Sequence, residues 1–216
     1  PAPVTEPEKT FEEVLDEHPV SIQVNGQWQT FPNAKAAEEA SYEEYKANLR
    51  RNAKNFRITD EHLGEGGPKA KFQANVNAIR LLKELEAAGQ QASPEQQEIL
   101  SRYVGWGGLS DAFDPEKPAW ASEYAQLKEL LTPEEYAAAR GSTLNAHYTS
   151  PTVIQAIYEA VDRMGFETGN ILEPSMGVGN FFGMLPEEMR NSRLYGVELD
   201  PVSGHIAKQL YPKADI

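Results

Sequence analysis

The chain has 216 residues, 40% hydrophobic and 25% charged, with 33 acidic against 20 basic side chains and a formal net charge of −13. That length holds one or two domains with a real core, and the composition is globular rather than disordered or fibrous. The absence of cysteine excludes a disulfide scaffold, a thiolate metal site and a cysteine nucleophile, and makes the cytoplasm the simplest location.

No apolar run approaches the roughly 18–20 residues of a membrane span, and no signal peptide opens the sequence. His18, His62, His147 and His205 stand apart from one another, without metal-ligand spacing. The charge is uneven: residues 1–45 carry −8, residues 46–83 carry +6, residues 84–140 carry −7 and residues 141–216 carry −4. The acidic total therefore conceals a basic island, the kind of segment that meets a phosphate backbone.

Residues 1–9 are rich in Pro and Glu, the composition of a mobile tail. Thr10 with Glu13 reads as a capping box for a short helix ending near His18-Pro19. Residues 20–24 alternate apolar and polar, Asn25-Gly26 supplies left-handed turn residues, and residues 28–31 alternate again, which predicts a β-hairpin. A helix rich in Ala and Glu follows over about 33–52. From 69 to 88, Phe72, Val76, Ile79 and Leu82 recur at helical spacing and Gly89 stops the helix. Ser93-Pro94, with Gln96, opens the next helix, which ends at Gly105-Trp106-Gly107-Gly108. Further helices are predicted over about 120–131 and from Thr132-Pro133 onward.

After Gly141 the pattern alternates. A helix opens at Ser150-Pro151, strands are predicted at 170–172 and 194–198 with a helix between 201 and 210, and residues 214–216 begin a third strand. This order predicts the first part of a doubly wound parallel sheet in a chain cut from a larger protein. The expected division is a hairpin and helices in residues 1–54, a helical region with the basic segment in 55–140, and a truncated α/β domain in 141–216.

The densest chemistry is Glu173-Pro174-Ser175-Met176-Gly177-Val178-Gly179-Asn180. A carboxylate ends a strand, and two glycines let backbone approach a ligand at the switch point of the sheet. Glu198 ends the next strand, where a carboxylate accepts from the two hydroxyls of a ribose. The third glycine of a dinucleotide fingerprint is displaced, since Phe182 stands there, and Glu173 would repel a pyrophosphate. A nicotinamide-dependent oxidoreductase is thereby disfavoured. An ammonium suits Glu173, and a ligand with a ribose at one end and an amino acid at the other is S-adenosylmethionine.

Glu-Pro-Ser-x-Gly-x-Gly-Asn-Phe-Phe from Glu173 resembles the first motif of the amino-group, adenine-specific DNA methyltransferases. Tyr195 to Pro201 resembles their second motif, and His147-Tyr148-Thr149-Ser150-Pro151 the motif that precedes the first strand. The resemblance implies a partial Rossmann-like fold that binds S-adenosylmethionine. Tyr148, Glu173, Pro174, Gly177, Gly179 and Asn180 would surround the methionine part. Thr149 and Ser150 would meet its carboxylate or only cap the helix. Glu198 would hold the ribose, with Leu199 beside the adenine, and Asp215 would accept from the adenine amino group or simply sit solvated at a strand end. Asp200 reads as a helix cap. The Asn/Asp-Pro-Pro-aromatic motif that grips the flipped-out base in these enzymes does not occur, so the chain alone is expected to transfer no methyl group.

Residues 56–69, the helix from Asn75 to Leu82, and Tyr103 to Leu109 resemble the segment ahead of the methylase domain in large methylase–helicase proteins of bacterial mobile elements. That resemblance covers about residues 55–216. It implies an SNF2 or DEAD-box-like helicase region downstream, and DNA together with the remainder of such a protein as partners. Arg57, Lys69 and Lys71 either dock DNA phosphates or form a solvated basic face, and Trp106 either stacks on a base or closes the core. The alternative to the methyltransferase reading is a non-catalytic DNA-binding or assembly module that keeps a Rossmann-like shell.

Overall fold

The computed structural model describes residues 18–52, 54–60, 62–144, 146 and 148–216. The helix predicted around Thr10–Glu13 lies outside these, as does His147. The chain divides into two compact units, residues 1–52 and 53–216.

In the first unit, β1 (Val20–Val24) pairs antiparallel with β2 (Gln27–Phe31), Val24 opposite Gln27 and Val20 opposite Phe31. Asn25 and Gly26 take φ of 52° and 74°, the left-handed pair a two-residue hairpin turn requires. Across the strands the Ser21 and Thr30 hydroxyls are 2.8 Å apart. Asn33 Oδ1 accepts from Ala36 N at 2.9 Å, capping α1 (Ala34–Asn52).

The second unit begins its helices with α2 (Pro68–Ala88), ended by Gly89 at φ 61°. Next comes α3 (Pro94–Ser101), whose Ser93–Gln96 capping box forms in both directions. After two short 3-10 turns come α4 (Ala121–Leu130) and α5 (Pro133–Ser142), the latter opened by a second complete box between Thr132 and Glu135. Phe72, Val76, Ile79, Leu82 and Leu85 of α2 are buried, joined by Leu100, Trp106, Phe113 and Leu127. The predicted α3 ends several residues short of the glycine cluster, because Arg102 and Tyr103 turn back onto the last carbonyls and residues 104–108 leave as a loop.

From residue 151 onward the order is α6 (Pro151–Arg163), β3 (Asn170–Glu173), the single turn α7 (Asn180–Gly183), β4 (Arg193–Gly196) and α8 (Pro201–Leu210). β3 and β4 run parallel, Glu173 beside Gly196, and β4 makes one further parallel bridge at Tyr195–Asp215. Among the described residues the architecture is thus mixed helix and strand, mainly helical, with two two-stranded sheets. The strand predicted to reach Glu198 stops at Gly196: Val197 N–H makes one more bond, to Glu173 O, and the chain then bends into the cap of α8, where Glu198 and Asp200 bond backbone N–H groups. No described helix is long and apolar enough to cross a membrane.

Residues 55–140 and 141–216 share this unit through the C-terminal end of α8. Its last carbonyls find no partner within the helix. The Gln97 side chain donates to Gln209 O and Leu210 O, Gln91 donates to Gln209 O, and Phe56 N donates to Leu210 O at 2.7 Å. The Gln209 side chain answers by accepting from Ala92 N at 2.8 Å. His205 Nδ1 also lies 2.7 Å from Glu86 Oε1 on α2. These contacts tie α8 to the helical region across more than a hundred positions.

Candidate ligand-binding site

The C-terminal ends of β3 and β4 place two carboxylates, Glu173 and Glu198, beside the glycine loop between β3 and α7. They line a cavity of about 280 Å³ together with Tyr148, Thr149, Gly177 and Asn180. Six residues expected to surround one ligand are therefore brought together. Glu198 spans the loop: its Oε2 accepts from Gly177 N at 2.7 Å and its Oε1 from Asp200 N at 2.9 Å. Asp200 Oδ2 in turn accepts from Ser203 N at 2.8 Å, so it is the cap of α8 as its sequence position predicted, while also lining the cavity.

Glu173 is the anomaly. Its Oε2 is buried and has no hydrogen-bond partner. Burial, and then the nearby Glu198 charge, push its carboxyl up to about 8. A buried acceptor without a donor is costly, and a cationic group entering the cavity would both pair with it and restore its charge.

The glycine loop owes its shape to Tyr148. A Cβ at Gly177 (φ +55°) would lie 2.9 Å from the Tyr148 ring, and one at Gly105 (φ +68°) would lie 2.6 Å from it. The ring is thus held between two glycines that approach it from loops 72 residues apart. Loop 104–105 is itself fixed by Asn75, which is fully buried in α2. Asn75 Nδ2 donates to Gly105 O at 2.6 Å and its Oδ1 accepts from Val104 N at 2.9 Å. Tyr103, Gly105 and Ser203 also line the cavity, and the Tyr148 and Ser203 hydroxyls are 3.5 Å apart. Burial holds the Tyr103 and Tyr148 phenols above their ordinary range, so both remain neutral. Tyr103, Gly105 and Asn75 went unassigned in the sequence; the dense Gly105-Trp106-Gly107-Gly108 cluster was the signal pointing at them. Asn75→Ala leaves the Val104 N–H and the Gly105 carbonyl without their partner, and is expected to cost about 2–4 kcal/mol. A urea midpoint unchanged from the parent chain would contradict that.

No family model matches the chain, and no solved structure matches it. Two relatives do. Over 153 residues, 71% of the chain, it is 26% identical to Defense against restriction protein B of Escherichia phage P1, of which the match covers 5%. Over 43 residues, 20% of the chain, it is 46% identical to Type II methyltransferase M.CvrRI of Paramecium bursaria Chlorella virus XZ-6E, of which it covers 11%. The chain thus spans only a small part of either relative, with a short local likeness to a methyltransferase.

The remaining predicted residues lie elsewhere. Ser150 lines an adjoining cavity, and Pro174 faces an apolar groove beside Leu172. Gly179 is buried, its Cβ position 2.6 Å from the Tyr211 ring. Its N–H bonds Met176 O while that of Gly177 bonds Glu198. Leu199 is 97% exposed and Asp215 is exposed.

The expected nucleic-acid residues divide further. Trp106 is 2% exposed, packed edge-on against Phe72, Tyr103 and Phe113, which corrects the base-stacking alternative. Lys69 Nζ lies 2.6 Å from both Glu123 and Ala119 O, and Arg57 donates to Leu185 O at 3.0 Å. Lys83 pairs with Glu135 at 2.7 Å. Lys69 and Lys83 of the basic island are thus paired with acids of the segment that follows it, and Arg57 is spent on a carbonyl. Lys71 has no such partner among the described residues. Among the described residues no group of His, Asp and Glu is placed to hold a metal ion.

Proposed function

We propose that the chain is the S-adenosylmethionine-binding portion of an adenine-specific DNA N6-methyltransferase, within a helicase-linked protein of a bacterial mobile element acting in the cytoplasm. The observation that carries this reading is the convergence of Glu173 and Glu198 on one cavity at the ends of two parallel strands, with one carboxylate oxygen buried and unpaired. A ligand with an ammonium and a ribose meets both acids. The short likeness to a type II methyltransferase adds support.

In this reading β3 and β4 belong to a larger Rossmann-like sheet. Leu172 and Val197 are more than half exposed, although strands of a parallel sheet are ordinarily covered on both faces. Glu173 takes the ammonium, Glu198 the ribose hydroxyls through its remaining lone pairs, and Thr149 with Ser150 the carboxylate. Leu199 and Asp215 stand on the adenine side. The cofactor supplies an activated methyl group; the residues here bind and orient it. Gripping the acceptor base falls to an Asn/Asp-Pro-Pro-aromatic segment that this sequence does not contain, with DNA as the substrate of the larger protein.

The second reading, an assembly module with an unused shell, is favoured by one observation: Glu198 already accepts two backbone N–H bonds. Calorimetric titration separates the two. S-adenosylmethionine and S-adenosylhomocysteine are expected to bind and NAD not to, with Glu198→Ala lowering affinity at least about tenfold, the loss of one or two hydrogen bonds to a charged group. No heat with either sulfur nucleoside would favour the assembly module.

A further inference from the structure

A second cavity, of about 360 Å³, opens beside the first and shares Tyr103, Ala146, Tyr148, Thr149 and Asn180 with it. Its lining differs, with a lysine and Glu65 in place of Glu173, Glu198 and Asp200. The first cavity is lined by carboxylates; the second is lined by Lys71 of α2 and by the hydroxyls of Thr149, Ser150 and Thr152.

Lys71 differs from its neighbours on α2. Lys69 and Lys83 each have a carboxylate within 2.7 Å, whereas no described carboxylate pairs with Lys71. Glu65 is the one carboxylate among the described lining residues, and its Oε2 is directed to His62 Nδ1 at 3.1 Å. Nor are the hydroxyls committed. Ser150 occupies the cap position of α6 without making the side-chain cap bond, whereas Ser93, Thr132 and Asp200 all make theirs. The described part of this cavity thus offers an unpaired cation and three unpaired hydroxyls.

An α-amino acid carries its ammonium and its carboxylate on one carbon, so sites for the two charges must share a wall. Here they share Tyr148 and Thr149. We infer that Lys71 binds the carboxylate of the ligand whose ammonium meets Glu173, so that the helical region supplies one side of the binding site. This rests on the S-adenosylmethionine reading above. It turns a residue expected to meet DNA phosphate into one that recognises the amino-acid end of a small zwitterion.

The test is calorimetric titration of the 216-residue chain and its Lys71→Met variant, which keeps the alkyl stem. The probes are S-adenosylhomocysteine, 5′-methylthioadenosine, which lacks the amino-acid end, and a short DNA duplex at low salt. The inference expects Lys71→Met to bind S-adenosylhomocysteine about tenfold more weakly and 5′-methylthioadenosine unchanged, with Lys71→Arg restoring most of the loss. Equal affinity of parent and variant for S-adenosylhomocysteine overturns it while leaving the cofactor reading intact. So does an equal loss for both nucleosides, or a loss confined to the duplex, which returns Lys71 to the phosphate backbone. If the parent chain binds neither nucleoside, the cofactor reading fails and this inference fails with it.

Discussion

Glu173→Gln is expected to raise the melting temperature at about pH 9 and leave it nearly unchanged at about pH 4. The folded-state carboxyl titrates at about 8, against 4.5 for an exposed glutamate. Below 4.5 both states hold the proton and the substitution is neutral. Between 4.5 and 8 the unfolded chain releases its proton and the folded chain keeps it, so stability falls as the pH rises; above 8 the loss is complete. Glutamine removes that loss. After allowance for solvent screening around a partly exposed side chain, we expect about 2 kcal/mol, roughly 4–8 °C for a chain of this size. The same variant should bind S-adenosylmethionine at least about tenfold more weakly, because the ammonium loses its charged partner. Melting curves across this pH range check the first half and titration the second. A variant that melts in parallel with its parent at every pH would remove Glu173 from the account of the site.

Trp106→Ala is expected to cost roughly 3–5 kcal/mol, the range for deleting a buried aromatic side chain. The ring is 2% exposed, and its centroid lies 5.2 Å from that of Phe113 and 6.0 Å from that of Phe72. Trp106→Phe should recover part of the loss by keeping an edge-on aromatic contact. A tryptophan that stacked on bases would behave differently: its removal would leave the urea midpoint in place and weaken DNA binding. Equilibrium unfolding of the two variants distinguishes these outcomes, and an unchanged midpoint for Trp106→Ala would return the ring to the surface.

What the sequence disclosed was local. Asn25-Gly26, the Ser93–Gln96 and Thr132–Glu135 boxes, Gly89 and Asp200 each act within four residues of themselves, so their chemistry is written beside them. Glu173 and Glu198 were legible as neighbours because Glu173 ends β3 and Glu198 follows the end of the parallel β4 by two residues, and adjacent parallel strands bring such ends together. The partners of Lys69 and Arg57 were not, since Glu123 and Leu185 lie 54 and 128 positions away with no pattern linking them. That the Gly177 N–H bonds Glu198 across the loop was not legible, because the two residues lie 21 positions apart on separate segments. Tyr148 shows the same limit from another side: its motif marked it as a site residue, but only folding shows that two glycines exist to admit its ring.

The hydrogen bonds that close the end of α8 bear on the order in which this unit forms as it is made. Gln91, in the connection between α2 and α3, and Gln97 of α3 leave the ribosome early, yet the carbonyls those side chains satisfy belong to Gln209 and Leu210. The extended stretch through Phe56 also waits for Leu210. More than a hundred residues must therefore be synthesised before these bonds can form, whereas the partners that bury α2 in the helical core, Leu100, Trp106, Phe113 and Leu127, are available sooner. A nascent chain stalled before residue 201 would hold that helical core without the bonds that fasten it to α8.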